Sequence, residues 1–255
     1  MHASMPSTKT ELIPAFADLP EALIAELNAI GRTRTFQSGQ TVMYGGTHPD
    51  FIGCVRRGIL RMVRRDVDGR EQVVGLLADG DIFGRVFHGN LRFDKEAATD
   101  AEIVTFLRGP FEALVEKWPE LELLIMSNLA NELDHARDWM VLLTKHPMTA
   151  RLASFLLMIC CRWNNMANTG RFEHGKLVLR VPISRSDLSS LLGTQPETLS
   201  RTVHAMAEKG AFTILSPQEF EILDLDALLH LADDEEFASN ERLASVRLRL
   251  KGEFG

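Results

Sequence analysis

Cysteine is scarce in this chain: Cys54, Cys160 and Cys161 are all there is in 255 residues. Three thiols, two of them adjacent, cannot build a disulfide framework. Long apolar runs are missing too. No stretch approaches the roughly 18 residues of a membrane span, so no membrane partner is expected. The opening MHASMPSTKT holds no hydrophobic signal region, and a cytoplasmic protein is the expectation. The eight histidines are scattered, and no H-x-H pair occurs. Together with the lack of a nucleophile–base constellation, this argues against metal-dependent or nucleophilic catalysis. The chain is not expected to be an enzyme.

A net positive charge is also missing. The sequence carries 28 Lys and Arg against 35 Asp and Glu, a formal −7. The distribution matters more than the sum. Residues 145–210 hold 9 basic against 4 acidic side chains, while the segments on either side are acidic. Fields beyond a Debye length of about 8 Å are largely screened, so a local basic region can still meet phosphate.

That basic region contains the most informative stretch, PISRSDLSSLLGTQPETLSRTVHAMAEKG at 182–210. Ser184-Arg185-Ser186-Asp187 has the S-x-x-D form of a capping box, so a helix should start there. Leu188, Leu191 and Leu192 follow at helical spacing. Gly193 should end the helix, because a left-handed turn residue costs least as glycine. Thr194 is expected to open a second helix, with Pro196 in its first turn and Glu197 completing T-x-x-E. Leu199, Val203 and Met206 fall at i, i+4 and i+7 and should face inward. Glu197, Ser200, Arg201 and His204 are left outward. Two such helices form a helix-turn-helix, whose second helix enters the major groove of DNA. Ser184, Arg185, Thr194, Gln195, Pro196, Glu197, Thr198, Ser200, Arg201 and His204 are the expected DNA-binding residues. Beyond them, Ala211–Leu215 and Phe220–Leu223 flank the turn Ser216-Pro217-Gln218-Glu219 and read as two strands of a wing.

The rest of the chain is organised differently. Residues 11–31 read as a helical lead-in with Leu19, Leu23 and Leu27 four apart. From Thr33 to Arg108 short strand-like runs alternate with glycines, and Asp68-Gly69 is a hairpin signal. Turns every eight to twelve residues indicate a small antiparallel barrel or roll. Pro110 to Leu143 is helical again. From Pro119, residues Met126, Leu129, Leu133, Ala136, Met140 and Leu143 alternate by three and four, an uninterrupted a/d seam of nearly three heptads. A domain this small can bury little of such a stripe, so the seam is expected to pair with a second copy. Lys145-His146-Pro147 breaks the helix. The acidic run Asp233–Glu236 reads as a solvated surface feature of a C-terminal tail.

These parts in this order resemble the Crp/Fnr family of bacterial transcription regulators. The resemblance covers roughly residues 15–230. It rests on F-x-x-G at 36–39, Gly58, D-G-R-E-Q at 68–72, G-D-I-F-G at 80–84 and S-R-x-D-L…L-G-T-x-x-E-T-L-S-R at 184–201. It implies an α+β chain: an N-terminal antiparallel β-roll of the cyclic-nucleotide-binding kind, a long dimerisation helix and a C-terminal winged helix-turn-helix. The expected divisions are 1–110, 111–145 and 146–255. The E-x-x-S-R pattern of Glu197, Ser200 and Arg201 places the chain in the Fnr-like branch. That branch implies a homodimer on an inverted TTGAT-type repeat, with RNA polymerase as a further partner.

The resemblance leaves the effector open. Cyclic-nucleotide binders carry a carboxylate after the glycine of G-E-x-x and an Arg-Ser or Arg-Thr pair about ten residues on. Here Arg85 follows Gly84, and the pair is absent. The iron–sulfur branch needs three cysteines near the N-terminus, and none precedes Cys54, so no cluster is expected. Haem stays open as a cofactor, with His48, His88, His135, Cys54 or Met62 as axial ligands. So does a thiol switch at Cys160-Cys161. Haem-based gas sensing or redox control would be variants of the same regulator. The other classes are a metal enzyme on the roll, against which the scattered histidines argue, and a regulatory subunit carrying the roll alone, against which the helix-turn-helix argues.

Overall fold

The computed structural model describes residues 13–66, 71–145, 147–162, 170–173, 176–181, 183–233, 237 and 240–250. The Asp68-Gly69 turn, His146 and the acidic residues 234–236 lie outside them; of 164–175, which the sequence reads as a polar loop, 170–173 form a strand and the rest lie outside the described residues. The chain divides into two compact units, Met1–Ala136 and Arg137–Gly255.

In the first unit, a short 3-10 turn (Pro14–Phe16) and α1 (Glu21–Ile30) lead into eight strands: β1 (Gly31–Phe36), β2 (Thr41–Met43), β3 (Phe51–Arg57), β4 (Leu60–Arg65), β5 (Glu71–Leu77), β6 (Ile82–Phe83), β7 (Asp94–Ala97) and β8 (Ala101–Leu107). They form two four-stranded sheets, ordered β1-β8-β3-β6 and β2-β7-β4-β5, with every pairing antiparallel. This is the roll expected from the sequence.

Strand β8 shows why its apolar run is nearly continuous. Ile103 packs with Val42, Val55, Leu60 and Leu77 inside the roll. Its neighbours Val104 and Phe106 turn the other way, onto Leu23, Leu27, Phe111 and Leu114. Alternate side chains thus enter two different cores, and neither face of the strand needs a polar residue. Phe106 stacks against Phe111 with centroids 5.3 Å apart.

Phe111 belongs to α2 (Arg108–Lys117), which is separate from the long α3 (Pro119–Thr144). Periodicity alone joins 111–118 to the long helix, and the structure divides them. Pro119 explains the break: the residue before a proline is driven to extended geometry, and Trp118 has φ −119° and ψ 103°. Phe111, Leu114 and Val115 of α2 are buried in the roll's outer core rather than aligned with the seam.

Gly58, between β3 and β4, has φ +103°, and a Cβ there would lie 2.6 Å from the Asp100 carbonyl oxygen and 2.8 Å from Ala101 Cα. Gly193 has φ +62°, but its Cβ would meet only the Leu143 side chain at 3.6 Å and the Arg151 guanidinium at 3.8 Å. Gly193→Ala therefore adds only backbone strain, about 1 kcal/mol. Gly58→Ala adds a clash with backbone that cannot swing away, and should cost more than about 2 kcal/mol. Urea unfolding of the two variants would rank them, and equal midpoints would contradict the difference.

In the second unit, α4 (Met148–Arg162) is the central element, packed against α6 (Pro196–Glu208), α7 (Leu225–Ala232) and α8 (Glu241–Leu250). Leu152, Ala153, Phe155, Leu156, Leu157, Ile159 and Cys160 of α4 are all buried. A four-stranded antiparallel sheet, β9 (Gly170–Glu173), β10 (Lys176–Arg180), β12 (Glu219–Ile222) and β11 (Phe212–Ser216), completes the unit. The β11–β12 hairpin is the expected wing.

Candidate functional site

The interface is built around α5 (Arg185–Leu191) and α6. Ser184 is the N-cap of α5: its Oγ accepts the Asp187 N–H at 3.0 Å and donates to the Asp187 carboxylate at 2.8 Å. At the other end the Thr194 N–H reaches the Ser189 carbonyl at 2.9 Å, and the Gly193 N–H reaches Ser190 at 3.1 Å. That pair of bonds is a Schellman turn with glycine at its left-handed position. Arg151 of α4 closes the same end, donating from Nη1 to the Leu192 carbonyl at 2.8 Å. The turn that sets one helix against the other is thus held from three directions.

Helix α6 starts one residue later than the sequence suggests. Its N-cap is Gln195, which makes no side-chain cap bond, and Pro196 is the first helical residue. Thr194 does not cap it, so the T-x-x-E box is not formed. Proline accounts for this, since N1 is where its missing N–H costs nothing.

Leu199, Val203 and Met206 are buried as expected, and Thr202 joins them with Oγ1 donating to the Thr198 carbonyl at 2.9 Å. Glu197, Ser200, Arg201 and His204 are exposed together on the opposite face, with Gln195 and Pro196 exposed just ahead of them. Thr194 and Thr198 are half-buried; Thr198 Oγ1 accepts from Arg201 Nη2 at 3.4 Å. His204 Nδ1 lies 2.8 Å from the Ser200 carbonyl oxygen.

Arg185 differs from the other expected contacts. Its guanidinium lies over the Phe220 ring of β12, 5.0 Å from the centroid. Burial holds its pKa below the usual arginine range, and Nη1 has no hydrogen-bond partner. The residue joins α5 to the wing strand through a cation–π contact, which the sequence did not signal.

All six seam residues on α3 are exposed, and so are Leu123 and Val141, which the heptad pattern as first drawn leaves out. Leu123 was findable: it lies three residues before Met126 and continues the stripe by one step.

The roll holds a cavity of about 310 Å³ against the first half of α3. Its walls include Met62, Phe83 and Ile125 with the polar Arg85, Lys95 and Glu132. Lys95 is buried, and desolvation holds its ammonium below the usual lysine range, against the pull of Glu132 and Asp94. Arg85 donates to the Asn90 carbonyl at 3.2 Å. Arg85 stands where the resemblance implies a ribose-holding carboxylate in cyclic-nucleotide binders, and Glu132 adds a carboxyl group to the wall.

Of the haem-ligand candidates, His88 and Met62 line the cavity, whereas His48 is engaged with Gly89 and Arg108. Cys54 is fully buried; burial, with Asp81 and Asp79 nearby, pushes its thiol up and away from reactivity. Cys160 is buried, and the Cys161 side chain lies outside the described residues. Among the described residues, no three His, Cys, Asp or Glu side chains gather into a metal-holding group, and no helix is long and apolar enough to cross a membrane.

A roll of the cyclic-nucleotide-binding kind, a long helix and a winged helix-turn-helix define a DNA-binding transcription regulator. Comparison with known proteins agrees part by part. The cyclic nucleotide-binding domain family matches residues 33–117, and the Crp-like helix-turn-helix domain family matches 150–231. The transcriptional activator protein FnrL of Cereibacter sphaeroides is 33% identical, covering 83% of this chain and 85% of that one. The nitrogen fixation regulation protein FixK of Bradyrhizobium diazoefficiens is 31% identical over 78% of this chain and 81% of that one. The solved structure of FixK2 from Bradyrhizobium japonicum shares the fold, with TM-score 0.69 over 79% of this chain and 97% of that one, at 23% identity. The chain belongs to the Crp/Fnr family. It is a transcription regulator, not an enzyme.

Proposed function

We propose that the protein acts in the cytoplasm as a homodimer that places its two α6 helices in successive major grooves of an inverted TTGAT-type repeat. The carrying observation is the outward set Glu197, Ser200 and Arg201, presented together on one face of a helix whose other face is buried. Each side chain suits a base edge: Arg201 donates in pairs to guanine O6 and N7, Glu197 accepts from cytosine N4, and Ser200 serves either role. Gln195, Thr198 and the backbone N–H groups of the first turn of α6 suit the flanking phosphates, as do Ser184, Thr194 and His204 around them, while Arg185, held over Phe220, fixes α5 to the wing instead. Pro196 takes a position without a donor, so this helix reads one position fewer than a relative with a polar residue there.

In this reading 1–110 is the sensor roll, 111–145 carries the dimer seam and 146–255 binds DNA. Two recognition helices on a two-fold axis would lie about 34 Å apart, one turn of the duplex. The relatives FnrL and FixK, named as an activator and a regulation protein, support a role in transcription that brings RNA polymerase as a second partner.

The test is fluorescence anisotropy on a TTGAT inverted repeat and on a scrambled duplex across a salt series. Binding should favour the repeat, and its logarithm should fall linearly with the logarithm of salt, about −0.9 for each phosphate neutralised. Equal affinity for both duplexes would sink the sequence-reading role.

A further inference from the structure

His204 is the histidine on the outward face of α6, and an imidazole is the side chain whose ordinary charge change falls near physiological pH. Seven residues separate it from Glu197, so it stands about 10 Å further along the helix axis. The first turn of a recognition helix meets base edges; a residue this far along the same stripe is placed toward the sugar–phosphate backbone at the edge of the groove.

The ring has a defined tautomer. Nδ1 is 2.8 Å from the Ser200 carbonyl oxygen, an acceptor, so Nδ1 must carry the proton. Nε2 is the ring nitrogen with no hydrogen bond among the described residues, on an exposed side chain. In neutral His204 it is therefore an acceptor and has nothing to offer a phosphate oxygen. Moving the proton to Nε2 would set the bare Nδ1 lone pair against the carbonyl. Only the imidazolium satisfies both sides at once, with Nδ1–H on Ser200 and Nε2–H on the phosphate.

Among the described residues, charge around the ring does not supply another partner. Along α6 the nearest ionised groups are Arg201 one turn before and Glu208 one turn after. The elements packed on α6 are α4, α5 and β11. Arg151 of α4 is turned to the Leu192 and Lys145 carbonyls, Arg185 of α5 to Phe220, and Asp187 to Ser184; β11 has no charged residue. Among the described residues His204 makes no ion pair, so a phosphate would be its first.

We propose that His204 is a proton-linked phosphate contact, so that each subunit takes up a proton as it binds DNA and affinity falls as the pH rises. The sign follows from the tautomer: the contact exists where the imidazole is charged and disappears as it deprotonates. The inference rests on α6 being the DNA-reading helix. It adds that a symmetric pair responds to acidification through two protons, without any ligand in the roll.

The experiment uses the full chain, a fluorescein-labelled TTGAT inverted repeat and a random duplex of equal length, at constant ionic strength from pH 6.0 to 8.5. The association constant of the wild type should fall by about tenfold or more on both duplexes, because a phosphate contact ignores sequence. His204→Gln offers a donor that does not titrate, and should bind with little pH dependence. His204→Ala should be equally flat and weaker at pH 6. Calorimetry in phosphate and Tris buffers at pH 7.5 should register proton uptake by the wild type, and none by either variant. A flat wild-type profile, or a slope retained in both variants, would overturn the proposal while leaving α6 as the DNA-binding helix. Wild-type protein that bound neither duplex at any pH would instead overturn the DNA-reading site, and this contact with it.

Discussion

Leu133→Glu should leave the protein monomeric and cost it its palindromic site. The stripe on α3 is apolar at every a and d step, yet Met126, Leu133 and Met140 are 60%, 59% and 60% exposed. Burying one such side chain fully contributes about 1.5–3 kcal/mol, so six or more of them facing a second copy amount to a stable seam. A glutamate at 133 replaces a central contact and, by two-fold symmetry, brings two carboxylates toward each other in a dry interface. Sedimentation velocity at micromolar concentration should shift from dimer to monomer. Affinity for the inverted repeat should fall at least about 100-fold, because each half-site then binds without the other. Met140→Glu should act alike from the other end of the helix. Circular dichroism of both variants should match the wild type, since neither side chain is part of a buried core. A dimer that survived both substitutions would put the interface elsewhere.

The two ends of the chain differed in how much the sequence disclosed. In the helix-turn-helix, local chemistry decides the structure: Ser184 caps because a hydroxyl three residues before an N–H can reach it, and Gly193 turns because glycine is free to. At the start of α6 two local rules compete, and the cap falls at Gln195 rather than at the expected Thr194. Thr194 has the capping side chain, but Pro196 accepts only the N1 position, and Thr194's own N–H is spent on Ser189. At 119 proline is a sound guide, since α3 begins there; what helical periodicity on both sides hides is that 108–117 is a helix of its own, ending at Trp118.

In the roll the succession of short strands and glycine turns is legible in the sequence, but the walls of the cavity are not. Lys95 and Glu132 are 37 residues apart in the sequence, on a strand and a helix, and only the fold brings their charges together. Arg185 shows the same limit: its stacking on Phe220, 35 residues on, depends on where the wing lies. Contacts made by chain neighbours can be read from residue types, whereas contacts made by topology cannot.

Arg201→Ala should erase discrimination between the inverted repeat and scrambled DNA while leaving the dimer intact. Arg201 is exposed and makes one weak bond, to Thr198 Oγ1 at 3.4 Å, so its removal costs the folded state little. On DNA the cost is larger. A bidentate arginine–guanine pair contributes about 1–3 kcal/mol of discrimination, and a symmetric dimer makes it twice. The preference for the repeat should therefore drop by at least about 30-fold, since 2 kcal/mol is already that factor. Arg201→Lys should recover only part of it, because an ammonium cannot present two parallel donors to O6 and N7. The salt dependence distinguishes the roles. If Arg201 reads a base, its removal abolishes selectivity and leaves the slope on scrambled DNA nearly unchanged. If it holds a phosphate, its removal weakens both duplexes equally and lowers the slope by about 0.9 per subunit. Competition binding on both duplexes at three salt concentrations separates these outcomes. Equal weakening would move Arg201 from the base edges to the backbone and leave Glu197 and Ser200 as the readers.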